Sequence, residues 1–236
     1  MKNILVDEEY KKLFNKIIIE APNYFSFELV NFKFPNKKLN LQLRNADAII
    51  GQVNLSNSQY KFAKKLRIIQ TLSAGYDRID LKEAKNHNVI IANNNGANAI
   101  SVAEHVLMLI LALYRNLIFH HNSIVNGSWK NLKYQNMEIH GKNLGIFGLG
   151  NIGIALAKRA TAMGLNVNYF DIERKLKEEK QMGLKYVFPE DLLKYSDIVS
   201  YHIPKTKYTY QIINHKTINQ MLKTTINRVH LLPKTK

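Results

Sequence analysis

The sequence predicts an α/β fold, with parallel sheets covered by helices on both faces. Three observations predict it. Short apolar runs rich in Ile, Val and Leu recur along the 236 residues, and segments of helical character lie between the later ones. A glycine-spaced strand–turn–helix–strand unit then occupies residues 143–171.

Taken in order, the candidate strands of the first hundred residues are 3–6, 27–30, 47–51, 66–72 and 88–92. Helical segments are expected at 56–65 and 80–87, while the pattern before residue 45 is less regular. The loop NNNGANA (93–99) leads to a long helix, where Ser101 followed by Glu104 matches a capping box. Apolar residues on nearly every face through Leu113 predict that this helix is buried, running to about Asn126 where Gly127 stops it. The polar stretch 130–141 serves as a surface connection. Beyond residue 171 the alternation continues through a charged helix (173–182), a strand (184–188), a short helix (189–195) and a strand (197–204). The tail, 218–236, suggests a helix end followed by a strand that never settles into an apolar run.

Composition narrows the function. Cysteine is absent, which excludes disulfides, thiolate metal sites and a Cys nucleophile. No N-terminal secretory pattern is visible, and the most apolar run, Val106–Tyr114, is about half the ~20 residues a bilayer needs. The expectation is a soluble cytoplasmic protein with no membrane partner. The net charge of +16 invites a nucleic-acid reading. Lys, Asn and Ile number 27, 27 and 26, a set that AT-rich coding favours, and the basic residues are dispersed without interleaved stacking aromatics. A solvated basic surface is therefore expected, not a nucleic-acid site.

Residues 143–171 read NLGIFGLGNIGIALAKRATAMGLNVNYFD. Each glycine has its own physical role. Gly148 permits the tight turn, Gly150 lets a pyrophosphate reach the backbone, and Gly153 allows close helix–strand packing. The helix N-terminus offers free amides and a positive dipole end to phosphates. Asp171, 18 residues beyond Gly153, stands where an acceptor for ribose hydroxyls is expected. A lone GxGxxG is weak evidence, but this one sits in the required frame and predicts dinucleotide binding. Asp171 should repel a 2′-phosphate and favours NAD; Arg174 and Lys175 close behind it keep NADP open. The strand 197–204 ends in His202, Ile203 and Pro204, which places them at the carboxyl end of the sheet, where ligands gather. For His202, a partly exposed strand-end histidine is the simpler reading than a proton-transfer group.

The chain resembles the D-isomer-specific 2-hydroxyacid dehydrogenases over nearly its whole length. The matching pieces are SAGYDRIDL (73–81), NNGANAISVAEHVLMLILALYRN (94–116), GKNLGIFGLGNIGIALAKRATAMG (141–164) and DIVSYHIPKTKYT (197–209). The resemblance implies two Rossmann-like domains. The first would be a flavodoxin-like substrate domain over 1–96 that lacks its C-terminal return segment; the second, a truncated NAD-binding domain over 97–236. It also implies hydride transfer between nicotinamide C4 and the 2-carbon of a small 2-hydroxy or 2-oxo acid, and a homodimer through the 101–126 helix region. By the same resemblance, Ser73, Ala74 and Gly75 would hold the substrate carboxylate through backbone amides. Val102 would lie near the nicotinamide, Asn151 and Ile152 would meet the pyrophosphate, and Asp171 the adenosine ribose. The His202–Pro204 turn would meet the adenine side, with Thr209 near the cofactor. An ordinary strand-to-helix turn is the alternative for Ser73–Gly75, and plain helix packing for Val102.

The chain departs from the family where the catalytic Arg, Glu and His are expected. The Asn-x-x-Arg-Gly turn of the family is replaced by Asn227-Arg228 with no Gly following. From Gly141 to Lys236 there are 96 residues, enough for one βαβαβ half and the start of a second at about thirty residues per βαβ unit. The expectation is a second domain left incomplete, consistent with a frameshift near Leu222–Thr225, and Arg228 is a weak catalytic candidate. Two functions remain: an NAD-dependent 2-hydroxyacid dehydrogenase lacking its acid/base pair, or a non-catalytic NAD(H)-binding or sensing module.

Overall fold

The computed structural model describes residues 1–34, 36–129, 135–204, 206–221 and the backbone of 226–227. The chain divides into two compact units, Met1–Ala97 and Asn98–Lys236.

In the first unit, β1 (Lys2–Asp7), β2 (Phe25–Val30), β3 (Ala48–Ile50), β4 (Ile68–Gln70) and β5 (Ile90–Ala92) form a parallel sheet in the order β2-β1-β3-β4-β5. Leu5, Ile49 and Ile69 face each other across the register and are fully buried. Successive residues Leu5 and Val6 are both inaccessible, so both faces of the central strand are covered. The helices are α1 (Lys11–Glu20), α2 (Lys37–Asn45), α3 (Asn57–Phe62) and α4 (Leu81–Asn86). Leu39, Leu43 and Tyr60 from α2 and α3 join the same core. Three of these helices start on a polar cap. Asn36 accepts from Leu39 N, Ser56 and Gln59 form a capping box, and Asp80 accepts from Lys82 N and Glu83 N.

The second unit opens with α5 (Ala99–Tyr114) and α6 (Leu117–Val125). The alternation that follows is β6 (Asn143–Phe147), α7 (Asn151–Ala162), β7 (Asn166–Phe170), α8 (Leu176–Met182), β8 (Lys185–Tyr186), α9 (Pro189–Tyr195), β9 (Ile198–Tyr201), α10 (His215–Asn219) and β10 (Ile226–Asn227). The parallel sheet has the order β10-β9-β6-β7-β8. Sheet growth reverses after β8, so β6 and β9 lie side by side at the switch point of a doubly wound sheet, the place where open α/β sheets in general take their ligands. On one face α5 and α7 pack over the strands through Ala103, Val106, Ile110, Leu156, Ala157 and Ala160. On the other, Leu192, Leu193 and Met221 cover Phe147, Val199 and Tyr201.

Four expectations need correction. The long helix is not one helix: Asn116 takes a left-handed conformation (φ 47°), and α5 and α6 are bent by 62°. Asn tolerates this region better than most residues, which makes it a natural breaking point. Ser101 is not an N-cap; α5 begins at Ala99 behind Asn98, whose side chain makes no capping bond. Within its unit α5 is buried along one stripe only, leaving Ile100, His105 and Met108 exposed. Finally, α8 starts at Leu176, not Glu173, because the preceding amides are engaged elsewhere: Glu173 N donates to Asp171 Oδ1 and Lys175 N to the Tyr169 hydroxyl. Among the described residues no single helix is long and apolar enough to cross a membrane.

Candidate functional site

Two constellations stand at carboxyl ends of strands, one in each unit. In the second unit, the buried strand β6 delivers the chain into Gly148-Leu149-Gly150 and then α7. Gly148 N donates to Phe170 O at 2.8 Å, and His202 N donates to Phe147 O at 2.7 Å, so the turn is held between the ends of β7 and β9. Phe147 and Tyr201, paired in register, stack with ring centroids 4.5 Å apart and support this end of the sheet. Gly148 has φ +90°, and a Cβ there would lie 2.6 Å from His202 O. A Cβ on Gly153 would strike Gly148 O, so α7 and the strand–turn meet at backbone distance. Gly150 differs from both, since nothing lies within 4 Å of the Cβ it lacks.

That open space could take a phosphate. The amides of Gly150, Asn151, Ile152 and Gly153 find no acceptor among the described residues, as expected at a helix start. Asp171 is half-buried at the end of β7; its Oδ2 accepts from Leu149 N at 2.6 Å and its Oδ1 from Glu173 N at 3.2 Å. A carboxylate has about four lone-pair positions, so capacity remains for hydroxyl donors. The carboxylate is thereby pinned to the glycine loop, and the two act as one fixed unit.

His202 and Ile203 are half-buried beside Gly148, and Pro204 is exposed. The His202 ring turns back on its own strand, Nε2 lying 2.9 Å from Ser200 Oγ. Thr209 closes the following loop: its hydroxyl donates to Pro204 O at 2.6 Å and accepts from Thr206 N at 2.7 Å. Val102 is half-buried in the first turn of α5. Arg228 lies outside the described residues.

In the first unit, Ser73, Ala74 and Gly75 follow β4 in a loop whose three carbonyls are all tied down. Ser73 O accepts from the hydroxyl of buried Thr71 at 2.6 Å and from Asn94 N at 3.1 Å. Ala74 O accepts from Asn93 Nδ2 at 2.8 Å, and Gly75 O from Gln52 Nε2 at 2.6 Å. No acceptor among the described residues meets the amides of Ala74, Gly75 and Tyr76. With the carbonyls held by neighbours, these amides are left as donors that could take an anion. Close by, burial pushes the Asp7 carboxyl above its ordinary range, offset in part by the Glu9 amide it accepts. Among the described residues no cluster of His, Asp or Glu could hold a metal ion.

A family model for the NAD-binding domain of D-isomer-specific 2-hydroxyacid dehydrogenases matches residues 107–227, about half the chain. The chain belongs to the D-isomer-specific 2-hydroxyacid dehydrogenase family. Similar relatives are the glyoxylate reductase of Korarchaeum cryptofilum (33% identical, over 81% of this chain and 60% of that protein) and the D-3-phosphoglycerate dehydrogenase of Archaeoglobus fulgidus (33%, over 75% and 33%). Among solved structures, the D-lactate dehydrogenase of Aquifex aeolicus, complexed with NAD and lactic acid, superimposes with a TM-score of 0.77. It is 25% identical, and the match covers 93% of this chain and 66% of that one. The chain spans 60% and 57% of the lengths of two glyoxylate reductases it matches.

In this member of the dehydrogenase family, the sequence alone does not single out Gln52, Thr71 or Asn93, which shape the 73–75 loop. Nor does it single out Glu179 and Tyr169 behind Asp171. A signal exists for the first three: each lies one or two residues past a strand. For Glu179 there is none, since its partners are fixed by how α8 folds back on β7.

Proposed function

We propose that this chain is an NAD-dependent oxidoreductase of the D-2-hydroxyacid dehydrogenase type, acting on the CH–OH group of a small 2-hydroxy acid and, in reverse, on the 2-oxo acid. One observation carries the cofactor half: the open space at Gly150, bordered by unsatisfied amides, with Asp171 bonded to the same loop. Gly150, Asn151 and Ile152 would hold the pyrophosphate, Asp171 the adenosine ribose, and His202, Ile203, Pro204 and Thr209 would border the adenine side. When bound, NAD supplies a hydride acceptor, and NADH a donor, at the nicotinamide ring. The amides of Ala74 and Gly75 would take the acid's carboxylate, leaving its 2-carbon free to react. Relatives named for glyoxylate reduction support a small acid as substrate.

The preference for NAD over NADP follows from charge: a 2′-phosphate would meet the Asp171 carboxylate. For this chain we propose cofactor binding at the Gly148–Gly153 loop. A non-catalytic NAD(H)-binding module is the second reading. Self-association through α5 and α6 is also proposed, on the exposure of Met108, Ile118, Ile124 and Val125, with the cytoplasm as location.

Fluorescence titration with NADH and NADPH tests the cofactor half. NADH should bind more tightly, and Asp171→Ala should narrow the gap; equal or tighter NADPH binding by the unaltered chain would defeat it. NADH oxidation with glyoxylate, pyruvate or hydroxypyruvate separates the two readings. Robust turnover would favour the dehydrogenase and defeat the non-catalytic module; NADH binding without turnover would do the reverse.

A further inference from the structure

Behind Asp171 the chain carries two cations, Arg174 and Lys175, at the place a nucleotide 2′-phosphate would seek them. Both already have carboxylate partners. Lys175 Nζ lies 2.6 Å from Glu173 Oε2. Arg174 donates from Nε and Nη2 to the two oxygens of Glu179, at 2.8 and 2.9 Å, and its guanidinium lies 5.4 Å from the centroid of the Tyr186 ring. This is the bidentate fork in which a guanidinium fits a carboxylate best.

Glu179 is itself anchored. The Tyr169 hydroxyl donates to Glu179 Oε1 at 2.7 Å and accepts from Lys175 N at 2.8 Å, on a tyrosine whose side chain is fully buried. The Glu179 side chain is 13% exposed and that of Arg174 56%, so the carboxylate is the fixed member and the guanidinium the one it captures. A phosphate approaching Arg174 would have to compete with a bonded carboxylate and face its charge as well.

We propose that Glu179 is a positioning residue for cofactor choice: it withholds Arg174 from the 2′-position of the adenosine ribose, leaving Asp171 to reject the 2′-phosphate unopposed. The inference rests on the dinucleotide-binding reading. It implies that NADP recognition is latent in this loop, one neutralised carboxylate away. Lys175 and Glu173 form a second, more exposed pair that adds little discrimination, since the Glu173 side chain is 78% exposed.

The test uses the full chain and nicotinamide fluorescence titrations with NADH and NADPH. Glu179→Gln keeps the shape and an acceptor for Tyr169 but removes the charge. It should strengthen NADPH binding by about tenfold or more, the worth of one charge-assisted contact. NADH binding should change by less than about threefold, since the ribose hydroxyls do not use Arg174. Adding Arg174→Ala to that variant should erase the gain. Arg174→Ala alone should weaken NADPH by less than about threefold, an arm that decides the matter even if E179Q fails to fold. No gain in NADPH binding by a folded E179Q that still binds NADH would overturn the proposal. So would a tenfold loss of NADPH binding in R174A, which would place Arg174 on the phosphate already. Failure of the unaltered chain to bind NADH would overturn the dinucleotide reading itself and this inference with it.

Discussion

Gly148 and Gly150 are two residues apart in one motif, yet the structure assigns them different kinds of cost. At Gly148 an alanine would have to adopt φ +90°, at about 1–2 kcal/mol for an L-residue in the left-handed region. Its Cβ would also sit 2.6 Å from His202 O and 2.8 Å from Ile203 Cγ2. Those atoms cannot retreat freely, because His202 N is bonded to Phe147 O on the neighbouring strand. Relief means parting the ends of β6 and β9, an overpacking cost of about 1–3 kcal/mol. Gly148→Ala should therefore lose about 2–5 kcal/mol of stability, a large part of a typical domain's total. Gly150 has φ −81° and ψ −163°, a backbone any residue adopts, and open space where the Cβ would go. Gly150→Ala should cost less than about 1 kcal/mol in stability, as an N-cap change without side-chain bonds does. Its methyl would instead intrude on the pyrophosphate position and weaken NADH binding at least about tenfold, or about 1.4 kcal/mol. Urea unfolding followed by circular dichroism, with NADH titration on the same samples, reads both effects. If G150A binds NADH as the parent does, or if G148A unfolds no earlier than G150A, the division of labour is wrong.

Acid should loosen the clamp behind Asp171. Arg174, and after it the Tyr169 hydroxyl, hold the Glu179 carboxyl at about 2, below its ordinary 4.5. A depressed folded-state value contributes stability that is fully present above the ordinary value and lost as pH falls toward the folded one. Thermal unfolding between about pH 5 and pH 2 should thus decline less steeply for E179Q than for the parent, and parallel declines would remove the clamp from the stability account. On the surface, Ile118 and Val125 are each 69% exposed on α6. If α5 and α6 carry self-association, Ile118→Asp with Val125→Asp should convert a sedimenting dimer to monomer with unchanged circular dichroism. A parent that is already monomeric, or a variant that still dimerises, counts against that surface.

The motif-bearing part of the fold was legible in the sequence because its constraints are local. β6, α7 and β7 follow from apolar strands and glycine spacing within 29 residues, and the surroundings of Gly148 and Gly153 come from that same stretch or from the turn after β9. The first helices were not legible, for a physical reason. α1 has no buried residue in its unit and leaves Leu13, Ile18 and Ile19 exposed, so its apolar positions do not trace a core-facing stripe. α2 buries only Leu39 and Leu43, although Asn36 marked its start with a side-chain cap. At Ser101 a local signal misled: the S-x-x-E spacing is present, but the helix had already begun two residues earlier. Tertiary structure overrides such a motif easily, since a capping bond is worth only about 1 kcal/mol.

The 73–75 loop shows what lies between these cases. Gln52, Thr71 and Asn93 come from the ends of β3, β4 and β5, with sequence separations of 23, 2 and 19 from the carbonyls they hold. No periodicity links them. Yet in a parallel sheet all strand ends of one polarity emerge on one side, so polar residues just past consecutive strands must converge there. Once the order β3-β4-β5 is known, the residues able to orient a loop after β4 are confined to the first few positions after its two neighbours. Gln52 and Asn93 occupy those positions, and Thr71 the corresponding place on β4 itself. A strand order inferred from sequence thus carries information one step beyond the motif, and the donors that hold the carbonyls of Ser73, Ala74 and Gly75 are recoverable from it.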